Sequence, residues 1–382
     1  MNILIINHEF PPIGGGGGIF TSLLARGLSE SGFNVFVLIP SSLSETVSIT
    51  ETLTVIKVKS LRFNRTSISN FGMLNFIITF SLIINKIIKK YNINIVNSHF
   101  IHTSGLADFL SFHKIPSVIS PLGADIYDPT RYCKIRNFMN FAAKKILKKN
   151  NKIVLSSSDM LNRTIGLFPE YEKKCVIIPH CIDSKKYSPL KNKNVRMKLK
   201  ISDSVKIIIS VCRLVKRKNM ELAIDIFYDL ICSGFNIIYF IVGDGPEKEN
   251  LVRKAEKLNI LDKIFFFDYV DEKKLIELYQ NSDIFLLPSL HEAFCIAAIE
   301  SMACGVIPVC SNTGGWTDFI INNNTGYVCN KKEEYVDKIK LLLSDEKFYF
   351  RISENAYIAS TTKYDYINIS SQYAQLFKNI LE

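Results

Sequence analysis

Two glutamates in the second half of the chain have the type and spacing of ligand-binding carboxylates. Glu292 and Glu300 lie eight residues apart in PSLHEAFCIAAIESMACGVIPV, residues 288–309. The apolar positions after Glu292 predict a helix over 293–303, and eight helical residues span about 12 Å. That separation is too long for a pair of glycosidase carboxylates, which stand roughly 5–9.5 Å apart. It suits two carboxylates that hold different hydroxyl-bearing parts of one elongated ligand.

The beginning of the same helix adds an anion site to this prediction. The N–H groups of Ala293, Phe294 and Cys295 would lie at the helix N-terminus, where unpaired amides and the helix dipole favour a phosphate. The ligand predicted for this stretch therefore carries both hydroxyl and phosphate groups.

Basic residues follow the first predicted strand of the second half, in SVCRLVKRKNMELAIDIF, residues 210–227. Arg213 comes directly after the strand, and Lys218 stands just before the next predicted helix. Cations at the carboxyl end of a strand, beside a helix N-terminus, can hold a diphosphate. For Lys216 and Arg217 we interpret the same stretch as a solvated basic turn.

Five consecutive glycines separate the first predicted strand from the first predicted helix, in PPIGGGGGIF, residues 11–20. The dinucleotide fingerprint GxGxxG fails because Ile19, Phe20 or Thr21 occupies its third glycine position, and no P-loop lysine follows. A loop without Cβ atoms can still bring its N–H groups into contact with an anion. We interpret the loop as a phosphate contact rather than as a flexible turn.

Short apolar runs alternate with helical patterns in both halves, and the alternation restarts after the charged segment 183–200. Continuous runs of Val, Ile and Phe predict parallel strands that are buried on both faces. We therefore predict an α/β fold of two doubly wound domains, with ligands at the carboxyl ends of the strands. The predicted strands are residues 3–7, 35–40, 55–59, 93–98, 117–121, 152–157, 175–180, 206–211, 237–243, 263–267, 283–289 and 306–311. The predicted helices are residues 19–31, 71–91, 131–149, 219–233, 246–258, 271–281 and 293–303, with a last helix in 364–382.

The composition is that of a globular protein that binds anions. The chain has 382 residues, 47% of them hydrophobic, with a net charge of +11 and nine cysteines that form no CxxC pair. The positive charge favours phosphorylated molecules or anionic surfaces, and the scattered cysteines predict reduced thiols in a cytoplasmic protein. The start, NILIINHEF, predicts a strand rather than a signal peptide. The apolar stretch 73–88 is shorter than the about 20 residues of a membrane span, and it predicts a packed helix.

The segment from Glu292 to Glu300 resembles the E-x7-E signature of retaining GT-B glycosyltransferases, in particular the family 4 group known as glycosyl transferases group 1. Other segments are similar to that family in the same order along the chain. They are PPIGGGGGIF, NIVNSHF, VIIPHCIDSKKYSP, CRLVKRKN, VGDGPEKENL and SNTGGWTDFI.

The resemblance implies a GT-B fold of two Rossmann-like domains that face a central cleft. Residues 1–185 would be the acceptor-binding domain and residues 186–361 the nucleotide-sugar-binding domain. Residues 362–382 would form a helix that packs back on the N-terminal domain.

The resemblance also assigns roles to residues of this chain. Arg213 and Lys218 would hold the donor diphosphate, Glu292 the donor sugar hydroxyls and Glu300 the nucleotide ribose. The residues after Glu292, which are Ala293, Phe294 and Cys295, would lie over the sugar and phosphates. Gly17 and Gly18 would complete the phosphate pocket from the other domain, and His99 and Asp125 would lie on the acceptor side.

The reaction implied is transfer of a sugar from a nucleoside diphosphate donor, UDP before GDP, to an acceptor hydroxyl with retained anomeric configuration. It requires neither a metal nor a cofactor, because cations and helix N-termini offset the charge of the leaving group. The acceptor would be lipid-linked or a saccharide, and no nucleic-acid module is present.

The chain departs from the family at several positions. Leu122 replaces a histidine in SPLGADIY, and EAFC replaces E-G-F-G, so that Ala293 and Cys295 narrow the space over the donor sugar. His180-Cys181 replaces Asn-Gly, and Cys212 replaces the glycine before Arg213. The cations and both glutamates remain, so we expect activity.

Several alternatives stay open. His99 fits a satisfied core histidine as well as a site residue, and no histidine spacing suggests a metal site. Residues 131–150 predict a basic amphipathic helix, which fits either peripheral contact with an anionic membrane or a solvated surface. A nucleotide-sugar epimerase and a catalytically silent nucleotide-sugar-binding subunit are the competing functions, and the intact cation and glutamate set argues against the epimerase.

Overall fold

The computed structural model describes residues 1–12, 14–60, 70–127, 136–189 and 194–382. The chain divides into two compact units: unit 1 is Met1–Ile182 with Asp365–Glu382, and unit 2 is Asp183–Tyr364. The strands are β1 (Asn2–Ile6), β2 (Asn34–Ser41), β3 (Glu45–Ser48), β4 (Leu53–Lys59), β5 (Ile95–His99), β6 (Ser117–Ser120), β7 (Lys152–Leu155), β8 (Cys175–Ile177), β9 (Lys206–Val211), β10 (Ile237–Val242), β11 (Ile264–Phe267), β12 (Ile284–Leu287), β13 (Ile307–Ser311) and β14 (Tyr327–Cys329). The helices are α1 (Gly16–Glu30), α2 (Asn70–Lys90), α3 (Leu106–Leu110), α4 (Ala124–Tyr127), α5 (Arg136–Lys149), α6 (Ser158–Leu167), α7 (Asn194–Lys198), α8 (Met220–Cys232), α9 (Lys248–Lys257), α10 (Glu272–Gln280), α11 (Ile296–Ala303), α12 (Lys332–Ser344), α13 (Glu346–Lys363) and α14 (Tyr366–Leu381).

Unit 1 contains a doubly wound sheet. In its described part the strand order is β3-β4-β2-β1-β5-β6-β7-β8, and all neighbours are parallel except β3 and β4. The chain reverses its direction of winding at β1, which pairs with β2 on one side and β5 on the other. The loop after β1 and the carboxyl end of β5 therefore meet at one topological switch point, where such sheets bind ligands.

The last helix, α14, belongs to unit 1 and packs against α1. The two helices approach closely at Gly27, where a Cβ atom would lie 2.3 Å from Ser370 Oγ. The Tyr366 hydroxyl donates to Glu30 Oε2 over 2.8 Å at the same contact. A glycine is needed at position 27 because the α14 side chain occupies the space of a methyl group.

Unit 2 contains a second doubly wound sheet, of all-parallel strands in the described order β11-β10-β9-β12-β13-β14. Its switch point is β9, which lies between β10 and β12. The strand sequences KIIISV and IFLL are apolar because both faces are covered by helices. The loops after β9 and β12 carry the predicted cations and Glu292, so the topology brings them to one edge of the sheet.

Two doubly wound α/β units confirm the predicted fold class. Strand β9 has the predicted bounds, whereas the short strands β3 and β14 were not predicted. The helix predicted over 293–303 begins only at Ile296. Of the helix predicted over 131–149, residues 131–135 lie outside the described residues and α5 covers the rest.

Candidate functional site

A buried ion pair joins the loops that follow β9 and β12. Lys218 Nζ donates to Glu292 Oε1, and both side chains are buried. Ser289, the second residue after β12, donates its hydroxyl to the same Glu292 oxygen over 3.4 Å. Burial lowers the pKa of Lys218. Glu292, with a smaller contribution from the nearby thiols, raises it by more, so the pKa of Lys218 lies above its ordinary value. Lys218 is therefore a fixed cation, and Glu292 is held by two donors.

Arg213 lies in the same loop, five residues before Lys218, and its side chain is exposed. Among the described residues its guanidinium has no hydrogen bond or ion pair, so its five N–H donors face solvent. Lys216 and Arg217 are also exposed, as expected for a basic turn. The site thus presents one buried cation with a carboxylate partner and one exposed cation close by in sequence.

The VGDG turn after β10 holds the backbone around Arg213. Gly243 has φ +131°, and a Cβ atom there would lie 1.9 Å from Cys212 O. Gly245 has a similar contact, because its Cβ atom would lie 2.3 Å from Leu214 O. Leu214 N–H donates to Asp244 O over 2.9 Å. The two glycines allow one backbone to lie directly on the other, which fixes the loop that carries Arg213.

A second glycine turn, SNTGG, holds the backbone of Glu292. Gly315 N–H donates to Glu292 O over 2.9 Å. Gly314 has φ +90°, and a Cβ atom there would lie 2.2 Å from the same carbonyl oxygen. The segments around Arg213, Gly243, Glu292 and Gly314 therefore form one site, although they are distant in sequence.

The structure corrects the prediction that Ala293, Phe294 and Cys295 form a helix N-terminus. Helix α11 begins at Ile296, and Cys295 precedes it with φ +70° in the left-handed region. Phe294 is buried, with its ring centroid 5.3 Å from that of Phe319 and 5.8 Å from that of Tyr364. The loop continues to Ile296 because the ring of Phe294 packs into the core, so Glu292 and Glu300 are not separated by eight helical rises.

Two thiols lie close enough to the ion pair to feel its charges. Burial raises the pKa of Cys212 and of Cys295 to about 12, with Lys218 and Glu292 acting in opposite directions on each. Both thiols are therefore neutral at physiological pH. The charges at the centre of the site are those of Lys218 and Glu292.

Glu300 is buried on α11, and tyrosines hold both of its oxygens. The Tyr187 hydroxyl donates to Oε1 over 3.0 Å, and the Tyr279 hydroxyl donates to Oε2 over 3.2 Å. Burial raises the pKa of Glu300 to about 7, while both tyrosine hydrogen bonds act against the rise. Sequence reasoning missed the two tyrosines, because they lie 113 and 21 positions from Glu300 and no local pattern links them to it.

In unit 1 the glycine loop is packed by its own neighbours. Gly14 has φ +101°, and a Cβ atom there would lie 2.6 Å from Glu9 Cβ. A Cβ atom on Gly17 would lie 3.1 Å from Leu122 Cδ1 and 3.2 Å from Phe100 Cζ. Gly15 N–H donates to Glu9 Oε2 over 3.3 Å at the start of α1. These contacts explain two of the five glycines without any ligand.

Gly18 does not fit the predicted role of phosphate contact. It is buried inside α1, and its N–H donates to Gly15 O over 3.0 Å. Gly15 and Gly16 are the exposed members of the loop, and Gly17 is half-buried. The phosphate role of Gly17 remains a prediction.

The structure places His99 in the core of unit 1, and its acceptor-side role remains a prediction. It is fully buried at the end of β5, and Asn97 Nδ2 donates to its Nε2 over 3.2 Å. Thr21 Oγ1 donates to Gly17 O, so it accepts from His99 Nδ1–H over 2.7 Å. Burial, and then the neighbouring His180, lowers the pKa of His99 to about 3. Both ring nitrogens are hydrogen-bonded, and the histidine links β5 to α1.

Asp125 has a structural contact in unit 1. Its Oδ2 accepts the N–H of Ile101 over 3.1 Å, at the π-helical turn Phe100–Gly105 that follows β5. This contact holds the turn after β5, and the acceptor-side role of Asp125 remains a prediction. Among the described residues no group of three or more His, Cys, Asp or Glu side chains could hold a metal ion.

Comparison with known families accounts for both units. Residues 14–186 match the family described as Glycosyltransferase Family 4, and residues 191–359 match Glycosyl transferases group 1. This chain belongs to the family 4 glycosyltransferases. The predicted resemblance is thereby confirmed, and so is the prediction of a glycosyltransferase.

Similar proteins agree with this assignment. The glycosyltransferase is 26% identical over 383 residues to N,N'-diacetylbacillosaminyl-diphospho-undecaprenol alpha-1,3-N-acetylgalactosaminyltransferase of Campylobacter jejuni, with 95% of this chain and 96% of the relative covered. Among solved structures, sucrose-phosphate synthase from Thermosynechococcus elongatus has a TM-score of 0.85 at 19% identity, with 100% and 99% coverage. HepE from Anabaena, in complex with UDP and glucose, has a TM-score of 0.75 at 16% identity, with 99% and 100% coverage. These likenesses show the GT-B fold of this glycosyltransferase.

Proposed function

We propose that this glycosyltransferase moves a sugar from a nucleoside diphosphate sugar, with UDP favoured over GDP, to an acceptor hydroxyl. We further propose that the anomeric configuration is retained and that the product belongs to a polysaccharide, lipopolysaccharide or glycolipid. The observation that carries the proposal is the buried pair Lys218–Glu292 with the exposed Arg213 at the carboxyl end of β9.

The first requirement of the reaction is to stabilise the leaving diphosphate. The bond between the anomeric carbon and a diphosphate oxygen breaks, the bond to the acceptor oxygen forms, and the acceptor hydroxyl proton passes to the leaving phosphate oxygen. Negative charge therefore develops on the diphosphate. Fixed cations at that position lower the barrier because they are oriented before the reaction begins. Arg213 and Lys218 are the residues that we assign to this role.

The second requirement is to orient the donor. Glu292 has a fixed carboxylate, held by Lys218 and Ser289, that could accept hydrogen bonds from sugar hydroxyls. We assign Glu300 to the nucleotide ribose, with Tyr187 and Tyr279 as the residues that position its carboxylate. Ala293 and Cys295, which stand where the family motif has glycine, would limit the size of the donor sugar.

Relatives support the substrate class. The Campylobacter relative is named as an N-acetylgalactosaminyltransferase that acts on a diphospho-undecaprenol carrier, and HepE binds UDP and glucose. These names favour a UDP-sugar donor and a lipid-linked or saccharide acceptor. The described cysteines are free thiols, in keeping with a cytoplasmic enzyme.

A donor screen with matched variants tests the proposal. The full chain is incubated with UDP-glucose, UDP-galactose, UDP-N-acetylglucosamine, UDP-N-acetylgalactosamine and GDP-mannose, and released nucleotide is measured. We expect release from a UDP-sugar and a loss of about tenfold or more in Arg213→Gln, because a charge-assisted hydrogen bond to phosphate is lost. Lys216→Gln, an exposed cation three residues further along, is the control and should keep wild-type turnover.

Other outcomes separate the alternatives. Nucleotide binding without release from any donor, in wild type and Glu292→Ala alike, would indicate a silent binding subunit. Equal release with Mg²⁺ and with EDTA is expected for a metal-independent enzyme. Inversion of the anomeric configuration, read by NMR of the product, would overturn the proposal of retention.

A further inference from the structure

Helix α2 packs against the sheet of unit 1 with one face. Phe76, Phe80 and Ile84 are fully buried in a core cluster with Leu4 of β1 and Val96 of β5. In the described part of the chain one helix, Phe71–Lys90, is long and apolar enough to cross a membrane. Its buried face belongs to the core of unit 1, so crossing a bilayer would open that core.

The opposite face of α2 carries large apolar side chains in solvent. The exposed fractions are 64% for Phe71, 54% for Leu74, 52% for Ile78 and 70% for Leu82. Their spacing of three, four and four residues places them in one stripe along the helix, about 16 Å long. A contiguous exposed apolar surface of this kind marks an interaction site.

A second element extends the stripe. Asn85, one turn after Leu82, donates through Nδ2 to Ser111 O over 2.6 Å. Phe112, which follows Ser111, is 78% exposed and has φ +54°. A phenylalanine in the left-handed region and in water is costly twice over, by backbone strain and by apolar exposure. We call Phe71, Leu74, Ile78, Leu82 and Phe112 together the α2 surface.

The charged residues of α2, and the one that follows Phe112 in the described chain, are all lysines. Helix α2 contains no acidic residue, and Lys86, Lys89 and Lys90 are exposed at its C-terminal end. Lys114 is exposed two residues after Phe112. An apolar stripe bordered by lysines is complementary to a bilayer interface with anionic headgroups.

We propose that the α2 surface inserts into the interfacial region of an anionic lipid bilayer without crossing it. This interaction goes beyond glycosyl transfer, and it places the membrane contact on α2 instead of on residues 131–150. In the described part of α5, Lys144 is paired with Glu170 at 3.1 Å and Lys149 with Asp108 at 3.0 Å. Among its described side chains, from residue 139 on, that helix exposes lysines and one large apolar side chain, Phe141, which form no apolar stripe.

Vesicle cosedimentation of the full chain with a matched pair of variants tests the proposal. The variant Phe71→Ser/Ile78→Ser removes half of the stripe. The control Phe350→Ser/Ile358→Ser removes a phenylalanine and an isoleucine of similar exposure from α13. We expect wild type and control to bind phosphatidylcholine vesicles that contain phosphatidylglycerol, and the stripe variant to bind about tenfold or more weakly. Binding to phosphatidylcholine alone should be weaker for all three proteins.

Tryptophan fluorescence distinguishes insertion from electrostatic adsorption. The chain has one tryptophan, Trp316, which is fully buried in unit 2 and gives a constant background. In Leu82→Trp we expect a blue shift on vesicle binding and quenching by brominated lipid. In Phe350→Trp we expect neither change.

Three results would overturn the proposal. One is equal vesicle binding by the stripe variant and its control, and another is a Leu82→Trp signal that brominated lipid does not quench. The third is a wild-type protein that does not bind vesicles and is a dimer in sedimentation velocity, while the stripe variant is a monomer. That result would assign the α2 surface to a second copy of the chain.

Discussion

The hydroxyl of Tyr187 donates to Glu300 Oε1 over 3.0 Å, across 113 positions of the sequence. Tyr187 belongs to the segment at the start of unit 2, and Glu300 belongs to α11. The contact links the beginning of unit 2 to the carboxylate that we assign to the nucleotide ribose. It also stabilises the charged form of a buried acid whose pKa burial raises to about 7.

Nucleotide affinity should therefore rise with pH around neutrality. Glu300, whose pKa is about 7, is mostly protonated on the acid side of neutrality and mostly a carboxylate on the alkaline side. In the proposed role the carboxylate would accept hydrogen bonds from the ribose hydroxyls. Because binding favours the charged form, the affinity for UDP should increase from the acid to the alkaline side of this pKa. Isothermal titration calorimetry at several pH values measures the change.

Two variants separate this effect from the titration of UDP itself. In Glu300→Gln the increase that belongs to the protein should vanish, which leaves only the contribution of the nucleotide phosphate. In Tyr187→Phe the midpoint should move to higher pH, since a donor to the carboxylate is lost. A midpoint that does not move in Tyr187→Phe would contradict the positioning role of Tyr187.

Removing one member of the buried pair Lys218–Glu292 should destabilise the protein more than removing both members. Lys218→Met leaves the Glu292 carboxylate without its cation, and we expect a loss of about 3 kcal/mol in the free energy of unfolding. The double variant Lys218→Met/Glu292→Leu removes both charges and should recover most of that loss. Urea unfolding measures stability, and neither variant should release nucleotide from a donor sugar. A double variant as unstable as the single one would contradict the assignment of the loss to an unpaired charge.

At position 295 the protein should be more stable with glycine than with alanine. The Cys295 φ of +70° is a backbone conformation that glycine adopts freely and residues with a Cβ atom do not. Both substitutions remove the thiol, so their difference isolates the backbone. We expect the free energy of unfolding of Cys295→Gly to be about 1 kcal/mol higher than that of Cys295→Ala. Equal stabilities of the two variants in urea would contradict backbone strain at position 295.

The contact between α1 and α14 should be sensitive to one methyl group. Gly27→Ala would place a Cβ atom 2.3 Å from Ser370 Oγ, and we expect a loss of about 1–3 kcal/mol in the free energy of unfolding. Ser370→Gly in the same chain should recover part of the loss, because it frees the space. Gly166→Ala on α6 is the control, since no atom lies within 4 Å of the added Cβ atom, and it should not destabilise. Thermal unfolding compares the four proteins.

The order of strands and helices could be predicted from the sequence because it depends on local patterns. Apolar runs such as KIIISV identify a strand buried on both faces, and β9 has the predicted bounds. The spacing of Glu292 and Glu300, with the cations at Arg213 and Lys218, indicated the family, which the matches to both halves confirm. Each of these strands and motifs depends on residues that are close together in the chain.

Other features depend on contacts between distant residues. The sequence left His99 open between a site residue and a core histidine, and only the structure shows that Asn97 and Thr21 hydrogen-bond both of its ring nitrogens. Helix α11 begins three residues after the predicted start, because Phe294 packs against Phe319 and Tyr364. Periodicity cannot report such partners, since it describes one segment at a time.

The sequence by itself determined the fold class, the family and the identity of the charged residues of the site. Only the tertiary structure decided that Lys218 is paired with Glu292, that Tyr187 holds Glu300, and that one face of α2 remains in solvent. The physical reason is the same in each case. Burial and pairing depend on which distant segments meet at the ends of the strands, and composition and spacing along the chain do not contain that information.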